Sequence, residues 1–578
     1  MRMLKVIVIR PNLCKGCKNC QFACMVAHSE EKSPYFLDLT DPKNQARNTV
    51  VLGYDGTPSP LTCRHCQEAP CVTACPSGAM YRDSESGLVL HNQEQCAGCW
   101  MCVMSCPYDL ISPDSRGRVA VKCDFCIENG RPYCVENCPT GALSLEEIKD
   151  SNEEPDTEEK KEERTKYLII GASAAGLACA AAIRREDPWG QVTVIAEDSL
   201  VYSRCLLKDI ISGARNKEQL NFVGENFFAD QGIEFIPGKK VTAIDPEQKM
   251  VFTQDGWKTT YDKLLIATGA KPVLPPVENL ASAKQVFVLR SLEDAERIID
   301  SVDKNKRVII LGGGLVGLEA AEALTTKGAK VTVIELAGHL LPLQLDSFAA
   351  SRYEELFRAH GVGIVTGQRA KKIELDENNN VLGVELDDQG YLPCDLLIVT
   401  AGVKPEISFL SDTGIAVNKG IIVDQQMRTS IPDIYAAGDV CENREILTGK
   451  VSLTPIWPAA VAQGEVAGLN MAGKDVELDG TFAYQNAMSF FGLPTISFGW
   501  PEPPDDSYQV ETDVSPDCYQ KVIYKDGRLV GAIFQGDLSG AGTFGALIKE
   551  EIDTSKYQGR LLSTNYTYYL FPELVIRD

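Results

Sequence analysis

The stretch KYLIIGASAAGLACAAAIRR, residues 166–185, passes from an apolar run through a glycine-containing turn into an alanine-rich run. The pattern predicts a buried β-strand followed by an α-helix. Gly171, Ser173 and Gly176 form a G-x-S-x-A-G turn between them. Glycine lets the backbone turn sharply and approach a pyrophosphate, and the N-terminus of the following helix favours negative charge. The stretch therefore predicts a dinucleotide-binding unit.

The same pattern recurs in RVIILGGGLVGLEAAEALTTKG, residues 307–328, where Gly312, Gly314 and Gly317 form a second glycine fingerprint. Each unit is followed by the β-branched sequence VTVI. Strands that alternate with helical patterns are typical of doubly wound parallel sheets. Two such units in one chain predict two nucleotide sites in an α/β region.

Two acidic residues follow these units. Glu335 lies 18 residues after Gly317, at the end of VTVIE. A carboxylate there accepts hydrogen bonds from a ribose 2′-OH and repels a 2′-phosphate, so it favours NADH over NADPH. The alternative is an ordinary surface glutamate. Glu197 is a weaker ribose candidate for the first site, because Ala196 occupies the usual position.

The flanks of this region differ from it in composition. Residues 146–166, EEIKDSNEEPDTEEKKEERTK, contain a single apolar side chain, Ile148, and predict a solvated linker. From about residue 480 the chain shows short strand patterns, and the Asp526-Gly527 pair predicts a hairpin. We expect a separate α+β lobe there.

Cysteine is concentrated before the linker. Sixteen of the 21 cysteines lie between Cys14 and Cys138. They form four motifs of four cysteines. The first two are Cys14, Cys17, Cys20 and Cys24, spaced C-x2-C-x2-C-x3-C, and Cys63, Cys66, Cys71 and Cys75, spaced C-x2-C-x4-C-x3-C-P. The other two are Cys96, Cys99, Cys102 and Cys106, spaced C-x2-C-x2-C-x3-C-P, and Cys123, Cys126, Cys134 and Cys138, spaced C-x2-C-x7-C-x3-C-P.

Closely spaced thiolates of this kind wrap one [4Fe–4S] cubane, while the fourth, after x3, binds a neighbouring cluster. Sixteen thiolates match four such clusters. Zinc is the alternative, since C-x2-C pairs also bind it, but zinc sites rarely combine three x2-spaced cysteines with a fourth at x3. The spacing predicts iron–sulfur clusters and leaves their ligand pairing open.

Charge and targeting signals limit the partners and the location. The formal charge of −23 disfavours nucleic acid and anionic membranes, which need basic patches. No signal peptide is visible at the N-terminus, and the apolar run at residues 167–183 is shorter than the roughly 20 residues of a membrane span. We expect a cytoplasmic protein without a membrane span, in which cysteine clusters indicate metal or catalysis rather than disulfides.

Residues 1–150 resemble the four-cluster ferredoxin-like subunits that accompany formate hydrogenlyase, dimethyl sulfoxide reductase and carbon monoxide dehydrogenase. The motifs CKGCKNCQFACMVAHSE, CRHCQEAPCVTACPSGAM, CAGCWMCVMSCPYDL and KCDFCIENGRPYCVENCPTGAL carry the match. The resemblance implies four ligand sets, here named groups A to D: A, Cys14, Cys17, Cys20 and Cys138; B, Cys24, Cys123, Cys126 and Cys134; C, Cys63, Cys66, Cys71 and Cys106; D, Cys75, Cys96, Cys99 and Cys102.

Residues 166–475 resemble the two-dinucleotide-binding flavoproteins of the disulfide-reductase type, through LLIATGAKP, LIVTAGVKPE and IYAAGDV. The resemblance implies FAD on the first fingerprint and NADH on the second. It also places Asp439 at the FAD ribityl and pyrophosphate region and Glu319 near the nicotinamide–flavin interface. Thr268 and Gly269, in the first of these motifs, are further candidate cofactor contacts.

The segment VYSRCLLKDIISG, residues 201–213, stands where dithiol reductases carry a C-x4-C pair. It resembles the coenzyme A disulfide reductase and NADH oxidase branch, whose single redox cysteine falls at Cys205, and the nitrite- and rubredoxin-reductase branch through Tyr202-x-Arg204. Arg204 is therefore a candidate cofactor residue. Cys205 is a candidate catalytic residue, or alternatively a small packed side chain.

These features together predict an FAD-dependent NAD(H):iron–sulfur oxidoreductase. NADH gives two electrons as hydride, a cluster accepts one, and flavin can do both. We expect electrons to pass between NADH, FAD and four clusters, in either direction, and on to or from a partner metalloenzyme. By analogy the partner is an enzyme such as a tungstopterin aldehyde oxidoreductase or carbon monoxide dehydrogenase.

Two alternatives stay open at this point. One is an NADH-dependent reductase of a small disulfide, persulfide or sulfur species that uses Cys205, and the other is a scaffold without flavin or iron. The predicted fold is an α+β ferredoxin-like polycluster domain, an α/β Rossmann-like flavoprotein and a small α+β C-terminal lobe. The predicted boundaries are 1–145 for the cluster domain, 146–166 for the linker, 167–290 and 400–478 for FAD, 291–399 for NAD(H) and 479–578 for the lobe.

Overall fold

The structure, a computed structural model, describes residues 3–52, 56–149, 164–388, 390–559 and 561–563. These residues belong to two compact units. One unit combines the N-terminal region with the segment that begins at Gln485, and the other comprises the intervening residues up to Tyr484. Most of the predicted linker lies outside the described residues.

The N-terminal region is built from short strands and helices around the cysteine motifs. Its strands pair antiparallel, β1 with β8 and the others as three successive hairpins. They are β1 (Met3–Ile9), β2 (Thr49–Leu52), β3 (Pro58–Leu61), β4 (Met80–Arg82), β5 (Val89–His91), β6 (Ile111–Pro113), β7 (Ala120–Lys122) and β8 (Leu143–Lys149). The helices are α1 (Asn19–His28), α2 (Pro70–Thr73), α3 (Met101–Ser105) and α4 (Tyr133–Glu136).

The second unit contains two five-stranded parallel sheets, in the orders β11-β10-β9-β15-β27 and β17-β24-β18-β19-β20. The strands of the first are β9 (Lys166–Ile170), β10 (Gln191–Ile195), β11 (Glu234–Ile236), β15 (Lys263–Ile266) and β27 (Ile434–Ala436). Those of the second are β17 (Val286–Val288), β18 (Arg307–Leu311), β19 (Lys330–Glu335), β20 (Gly363–Thr366) and β24 (Leu396–Val399). The two predicted doubly wound sheets are confirmed.

Smaller sheets and a set of helices complete the described part of this unit. The additional strands are β12 (Val241–Asp245), β13 (Met250–Thr253), β14 (Lys258–Thr260), β16 (Ala270–Pro272), β21 (Ala370–Leu375), β22 (Val381–Leu386), β23 (Tyr391–Pro393), β25 (Val403–Pro405), β26 (Ile421–Ile422), β28 (Cys441–Arg444) and β29 (Val451–Leu453). The helices are α5 (Ala174–Glu186), α6 (Leu207–Ser212), α7 (Phe227–Asp230), α8 (Leu292–Ser301), α9 (Leu315–Thr326), α10 (Ser347–Ala359) and α11 (Trp457–Met471).

Helices α5 and α11 pack closely against each other beside the first sheet. A Cβ atom at Gly464 of α11 would lie 2.1 Å from the carbonyl oxygen of Ala175, so glycine is required for this approach. The strands beneath them contribute fully buried side chains such as Ile169, Val194 and Leu265. The edge strand β17 belongs to the second sheet and lies ahead of residue 291, the predicted boundary. The sequence did not indicate this strand, because three residues are too few to show a periodic pattern.

The C-terminal lobe is an antiparallel sheet in the order β30-β31-β34-β33-β32, covered by one helix. Its elements are β30 (Gln485–Phe490), β31 (Leu493–Gly499), β32 (Gln509–Val514), β33 (Tyr519–Lys525), β34 (Arg528–Gln535) and α12 (Ala541–Lys549). Asp526 and Gly527 both have positive φ in the turn between β33 and β34, as the hairpin prediction requires.

Helix α12 of the lobe packs on helix α3 of the cluster domain, within one compact unit. A Cβ atom at Gly542 would lie 2.1 Å from the carbonyl oxygen of Cys106. The backbone N–H of Gly540 donates to the Asp109 carboxylate at 2.8 Å, and the Thr543 hydroxyl donates to the Pro107 carbonyl at 3.2 Å. The lobe thus packs against, and donates hydrogen bonds to, the segment that contains Cys106, a predicted cluster ligand.

Single 3₁₀ turns connect the elements at Pro11–Leu13, Ile127–Asn129, Arg204–Leu206, Glu218–Leu220, Leu280–Ser282, Ser408–Leu410, Ser555–Tyr557 and Leu561–Ser563. In the described parts of the chain, no helix has both the length and the apolar character needed to span a bilayer.

Candidate functional site

The third cysteine of each motif occupies the same place in the local structure. Cys20, Cys71, Cys102 and Cys134 are each the second residue of a short helix. The first N–H groups of a helix have no partner within the helix and carry partial positive charge. Each of these thiolates would therefore be presented to a bound cluster at the positive end of a short helix.

The members of groups C and D line two separate cavities. The four cysteines of group C surround one cavity together with His65 and Tyr108. The four cysteines of group D surround another together with His91 and Trp100. These sets are the ones that the resemblance implies, and each cavity offers four sulfurs and a largely apolar wall.

The sulfurs of group A, and likewise those of group B, are close enough to act on one another electrostatically. Burial raises the pKa of the Cys20 thiol to about 11, and the other three sulfurs of group A act in the same direction. Burial likewise raises the pKa of Cys134, again reinforced by the other three sulfurs of group B. Thiols with raised pKa values are protonated at neutral pH, so metal binding at these groups must release protons.

Backbone donors already point at several of these sulfurs. The N–H of Arg47 donates to the Cys24 sulfur at 3.2 Å, that of Met80 to Cys75 at 3.4 Å and that of Leu143 to Cys138 at 3.4 Å. Four neighbouring cysteine sulfurs and backbone N–H donors together fit a [4Fe–4S] cluster.

The first nucleotide turn, after β9, depends on two glycines. Gly171 has a φ of 116°, and a Cβ there would lie 2.2 Å from the carbonyl oxygen of Ala267. A Cβ at Gly176 would lie 1.8 Å from the carbonyl oxygen of Gly171. Ser173 is the N-cap residue of α5. A tight glycine turn that leads directly into a helix N-terminus fits the predicted FAD site.

A network of charged residues adjoins this turn. Arg290 donates to the Asp439 carboxylate at 2.8 Å, and Arg204 donates to the Arg290 carbonyl at 2.7 Å. Arg204 also pairs with Asp198 at 2.8 Å. Sequence reasoning missed Arg290 and Asp198, which belong to no recognised motif; the one signal was the Ser291–Asp294 capping box that fixes the start of α8 beside Arg290.

Three predicted residues of the first site lie elsewhere in this neighbourhood. Thr268 donates to the Glu406 carbonyl at 2.9 Å, and Gly269 adopts a φ of 70° in the same connection. Glu197 is exposed and forms an ion pair with Lys240 at 2.7 Å. Its proposed contact with ribose stays a prediction.

The second nucleotide turn, after β18, repeats the geometry of the first. Gly312 has a φ of 118°, and a Cβ at Gly317 would lie 2.0 Å from the carbonyl oxygen of Gly312. A Cβ at Gly314 would meet open space, which is where a dinucleotide would approach. Glu335 accepts hydrogen bonds from the N–H groups of Gly313 and Ala337, both at 2.7 Å. This arrangement fits NADH.

Cys205 lies where residues of both nucleotide regions converge. Its side chain is exposed. The surrounding protein and the negative charges of Glu319 and Asp439 raise the pKa of its thiol above the usual range. Burial raises the pKa of Glu319 to about 7, opposed by the positive charge of Lys208. The structure thus brings Cys205, Glu319 and Asp439 together, and it adds Lys208 to their surroundings.

The remaining cysteines are buried or partly buried, and Cys441 lies near the negative charge of Asp439. Cys179, Cys394 and Cys441 are fully buried, and the Cys441 thiol donates to the Gly438 carbonyl at 3.4 Å. Cys518 precedes β33 and is partly buried. Their packing indicates structural roles.

Three family models match the chain. Residues 165–464 match the model described as pyridine nucleotide-disulphide oxidoreductase. Residues 55–148 match the 4Fe-4S dicluster domain, and residues 485–552 match the rubredoxin NAD+ reductase C-terminal domain. The predicted flavoprotein fold and the iron–sulfur region are confirmed, and the C-terminal lobe is assigned to a known domain type.

Individual relatives agree with these matches. The epsilon subunit of NADH-dependent phenylglyoxylate dehydrogenase from Aromatoleum evansii is 34% identical over 405 residues, which cover 69% of this chain and 95% of the relative. NADH-rubredoxin oxidoreductase of Clostridium acetobutylicum is 31% identical over 395 residues, 68% of this chain and 95% of the relative. A solved NAD-dependent persulfide reductase from A. fulgidus superposes with a TM-score of 0.60 at 29% identity, covering 66% of this chain and 76% of that one.

Proposed function

The chain belongs to the pyridine nucleotide-disulphide oxidoreductase family, and from this premise we propose that it is an NAD(H)-dependent electron-transfer subunit. It would connect NADH and FAD with a chain of four [4Fe–4S] clusters and, through them, with a partner metalloenzyme. The observation that carries the proposal is the presence, in one chain, of two dinucleotide-binding sheets and four groups of four cysteines.

The residues present define where each group would bind. FAD would lie on the turn of Gly171 and Gly176 beside Asp439, and NADH on the turn of Gly312 and Gly317. Groups A to D would each hold one cluster. When bound, flavin exchanges hydride with NADH and exchanges single electrons with iron–sulfur clusters, which carry one electron each.

The chain's own side chains support this division of roles. Glu335 has a free lone pair on each oxygen for a ribose 2′-OH, and its charge disfavours a 2′-phosphate. Arg290 holds the Asp439 carboxylate in place beside the FAD turn. The carboxyl of Glu319, with a pKa near 7, can hold or release a proton at the junction of the two sites.

The proposed partner is a separate catalytic subunit. The relative from Aromatoleum evansii is named as one subunit of an NADH-dependent dehydrogenase, which supports a subunit role for this chain. We propose a tungsten aldehyde oxidoreductase or carbon monoxide dehydrogenase as the specific partner. We also propose that both proteins are located in the cytoplasm. A relay of four clusters suits transfer to a distant catalytic centre better than transfer to a small diffusing acceptor.

The alternative, a reductase of small disulfides or persulfides that uses Cys205, is not favoured. Attack on a disulfide requires a thiolate. The Cys205 side chain is exposed. The surrounding protein and then the negative charges of Glu319 and Asp439 raise the pKa of its thiol, which disfavours the thiolate. A catalytic role for Cys205 stays a prediction.

Anaerobic purification from the native host tests the proposal. We expect the chain to carry FAD and about sixteen iron atoms, four per cluster, and to co-purify with a metalloenzyme subunit. Protein that is stable and folded but contains neither flavin nor iron would contradict the proposal and favour the scaffold alternative.

A further inference from the structure

A buried lysine lies among the cysteine groups. Lys122 is the last residue of β7 and is 3% exposed. Its Nζ donates to the carbonyl of Val89 and, at 2.7 Å, to the carbonyl of Cys123. Both acceptors are uncharged backbone oxygens.

Within the described ranges of the chain, no carboxylate pairs with this ammonium group. Lys521, which is similarly buried at 5% exposure, differs in this respect because Glu502 accepts from it at 2.9 Å. A buried charge without a counter-charge is costly, so native proteins pair such charges. The negative charge that balances Lys122 must therefore come from a group other than the described carboxylates.

The surroundings of Lys122 show where that charge would lie. Its positive charge acts on the sulfurs of Cys71 in group C and Cys123 in group B, opposing the rise in pKa that burial causes in both. It also acts on His91, which lines the cavity of group D: burial and then Lys122 lower the pKa of this imidazole to about 4. Lys122 is therefore close to members or lining residues of three groups.

Resting on the proposed function, we propose that Lys122 is the internal counter-ion of the clusters bound by groups B and C, and that it raises their reduction potentials. A [4Fe–4S] cluster with four thiolates carries a charge of about −2 when oxidised and one unit more when reduced. A fixed positive charge stabilises the more negative, reduced form. Lys122 would thus make the B and C clusters easier to reduce.

A second contact supports the same location. The N–H of Val89 donates to Nδ1 of His65 at 3.1 Å, while the carbonyl of Val89 accepts from Lys122. With Nδ1 as acceptor, the neutral imidazole carries its proton on Nε2, which is buried without a protein partner and belongs to a residue lining the group C cavity. The Val89 backbone therefore positions the Lys122 ammonium group and the His65 Nε2–H donor beside group C.

The test uses the full chain with three substitutions. Lys122→Met removes the charge at similar size, Lys122→Arg keeps it, and Lys43→Met removes an exposed charge from the same domain. Iron and sulfide content are measured first, and cluster potentials are then measured by EPR-monitored anaerobic redox titration. If wild-type protein itself holds no clusters, the proposed function fails, which is distinct from failure of the Lys122 role.

We expect Lys122→Met to shift two clusters to lower potential, or to lose iron, while Lys122→Arg and Lys43→Met match wild-type protein. Full iron content with unchanged potentials in Lys122→Met would overturn the proposal. Equal iron loss in Lys122→Met and Lys122→Arg would also overturn it, because the shape of the side chain rather than its charge would then be decisive.

Discussion

The carboxylate of Glu335 is bonded to the backbone N–H of Gly313, inside the second glycine turn, at 2.7 Å. This hydrogen bond joins the end of β19 to the turn after β18. The carboxylate that we propose to contact the ribose is consequently held beside the second glycine turn by two backbone N–H groups.

Glu335→Gln is expected to reduce the preference for NADH over NADPH. The substitution removes the charge that repels a 2′-phosphate and weakens a charge-assisted hydrogen bond, so kcat/KM for NADH should fall about tenfold. Steady-state rates with ferricyanide as acceptor measure both nucleotides. Glu377→Gln, at an exposed position of the same region, is the control. An unchanged NADH-to-NADPH ratio in Glu335→Gln would show that Glu335 is an ordinary surface residue.

Cys205→Ser is expected to leave NADH-dependent viologen reduction within about twofold of wild type. The reason is that surroundings which raise the pKa of the Cys205 thiol disfavour the thiolate that a nucleophilic role requires. The same preparation is assayed with coenzyme A disulfide and polysulfide. Wild-type turnover of either compound that disappears in Cys205→Ser would instead support the reductase alternative.

Gly542→Ala is expected to disturb the group C cluster and leave the nucleotide sites unaffected. The new Cβ would lie 2.1 Å from the carbonyl oxygen of Cys106, so either α12 or the ligand backbone must move, at a cost of about 1–3 kcal/mol. Iron content and the EPR spectrum report the cluster, and NADH–ferricyanide activity reports the flavin. Gly224→Ala, where a Cβ meets open space, is the matched control. A normal cluster spectrum in Gly542→Ala would refute the coupling of lobe and cluster.

The docking of α12 on α3 is expected to weaken as pH rises through 6. Burial raises the pKa of Asp109 from 3.8 to about 6, so the folded state favours the protonated carboxyl. Its stabilising contribution is complete below about pH 4 and is lost as pH rises through about 6, with a difference of up to about 3 kcal/mol.

Asp109→Asn removes this titration and tolerates the positive φ of 52° at the position. Hydrogen–deuterium exchange of the α12 amides, corrected for intrinsic rates, should show greater protection in the variant than in wild type at pH 8 and a smaller difference at pH 5. A difference that is independent of pH would contradict the assignment.

The sequence predicted those parts of the molecule in which local spacing dictates geometry. The glycine fingerprints at Gly171 and Gly312 require a strand–turn–helix unit, and the structure contains both. The x2 spacing of cysteines predicted groups of sulfurs, although their pairing needed a resemblance to known proteins. Each of these signals lies within about thirty residues of chain, which is the length of one βαβ unit.

Features that depend on distant contacts were not predictable. The lobe was expected to be separate, yet Gly542 packs on Cys106, more than four hundred residues away in sequence. Arg290 is identified as a site residue by its ion pair with Asp439. Lys122 is identified by its burial without a paired carboxylate among the described residues. A single arginine or lysine carries no motif, so only the folded arrangement identifies such residues.

The central claim, that reducing equivalents pass between NADH, flavin and the clusters of this chain, is tested most directly by anaerobic NADH titration of the full chain. Samples with complete iron, sulfide and flavin content are followed by EPR, with and without the co-purifying partner, and dithionite reduction of the same sample shows the maximal cluster signal. We predict a reduced-cluster signal that grows with added NADH. No such signal at any NADH concentration, with and without the partner, in samples whose clusters dithionite reduces, would contradict the account.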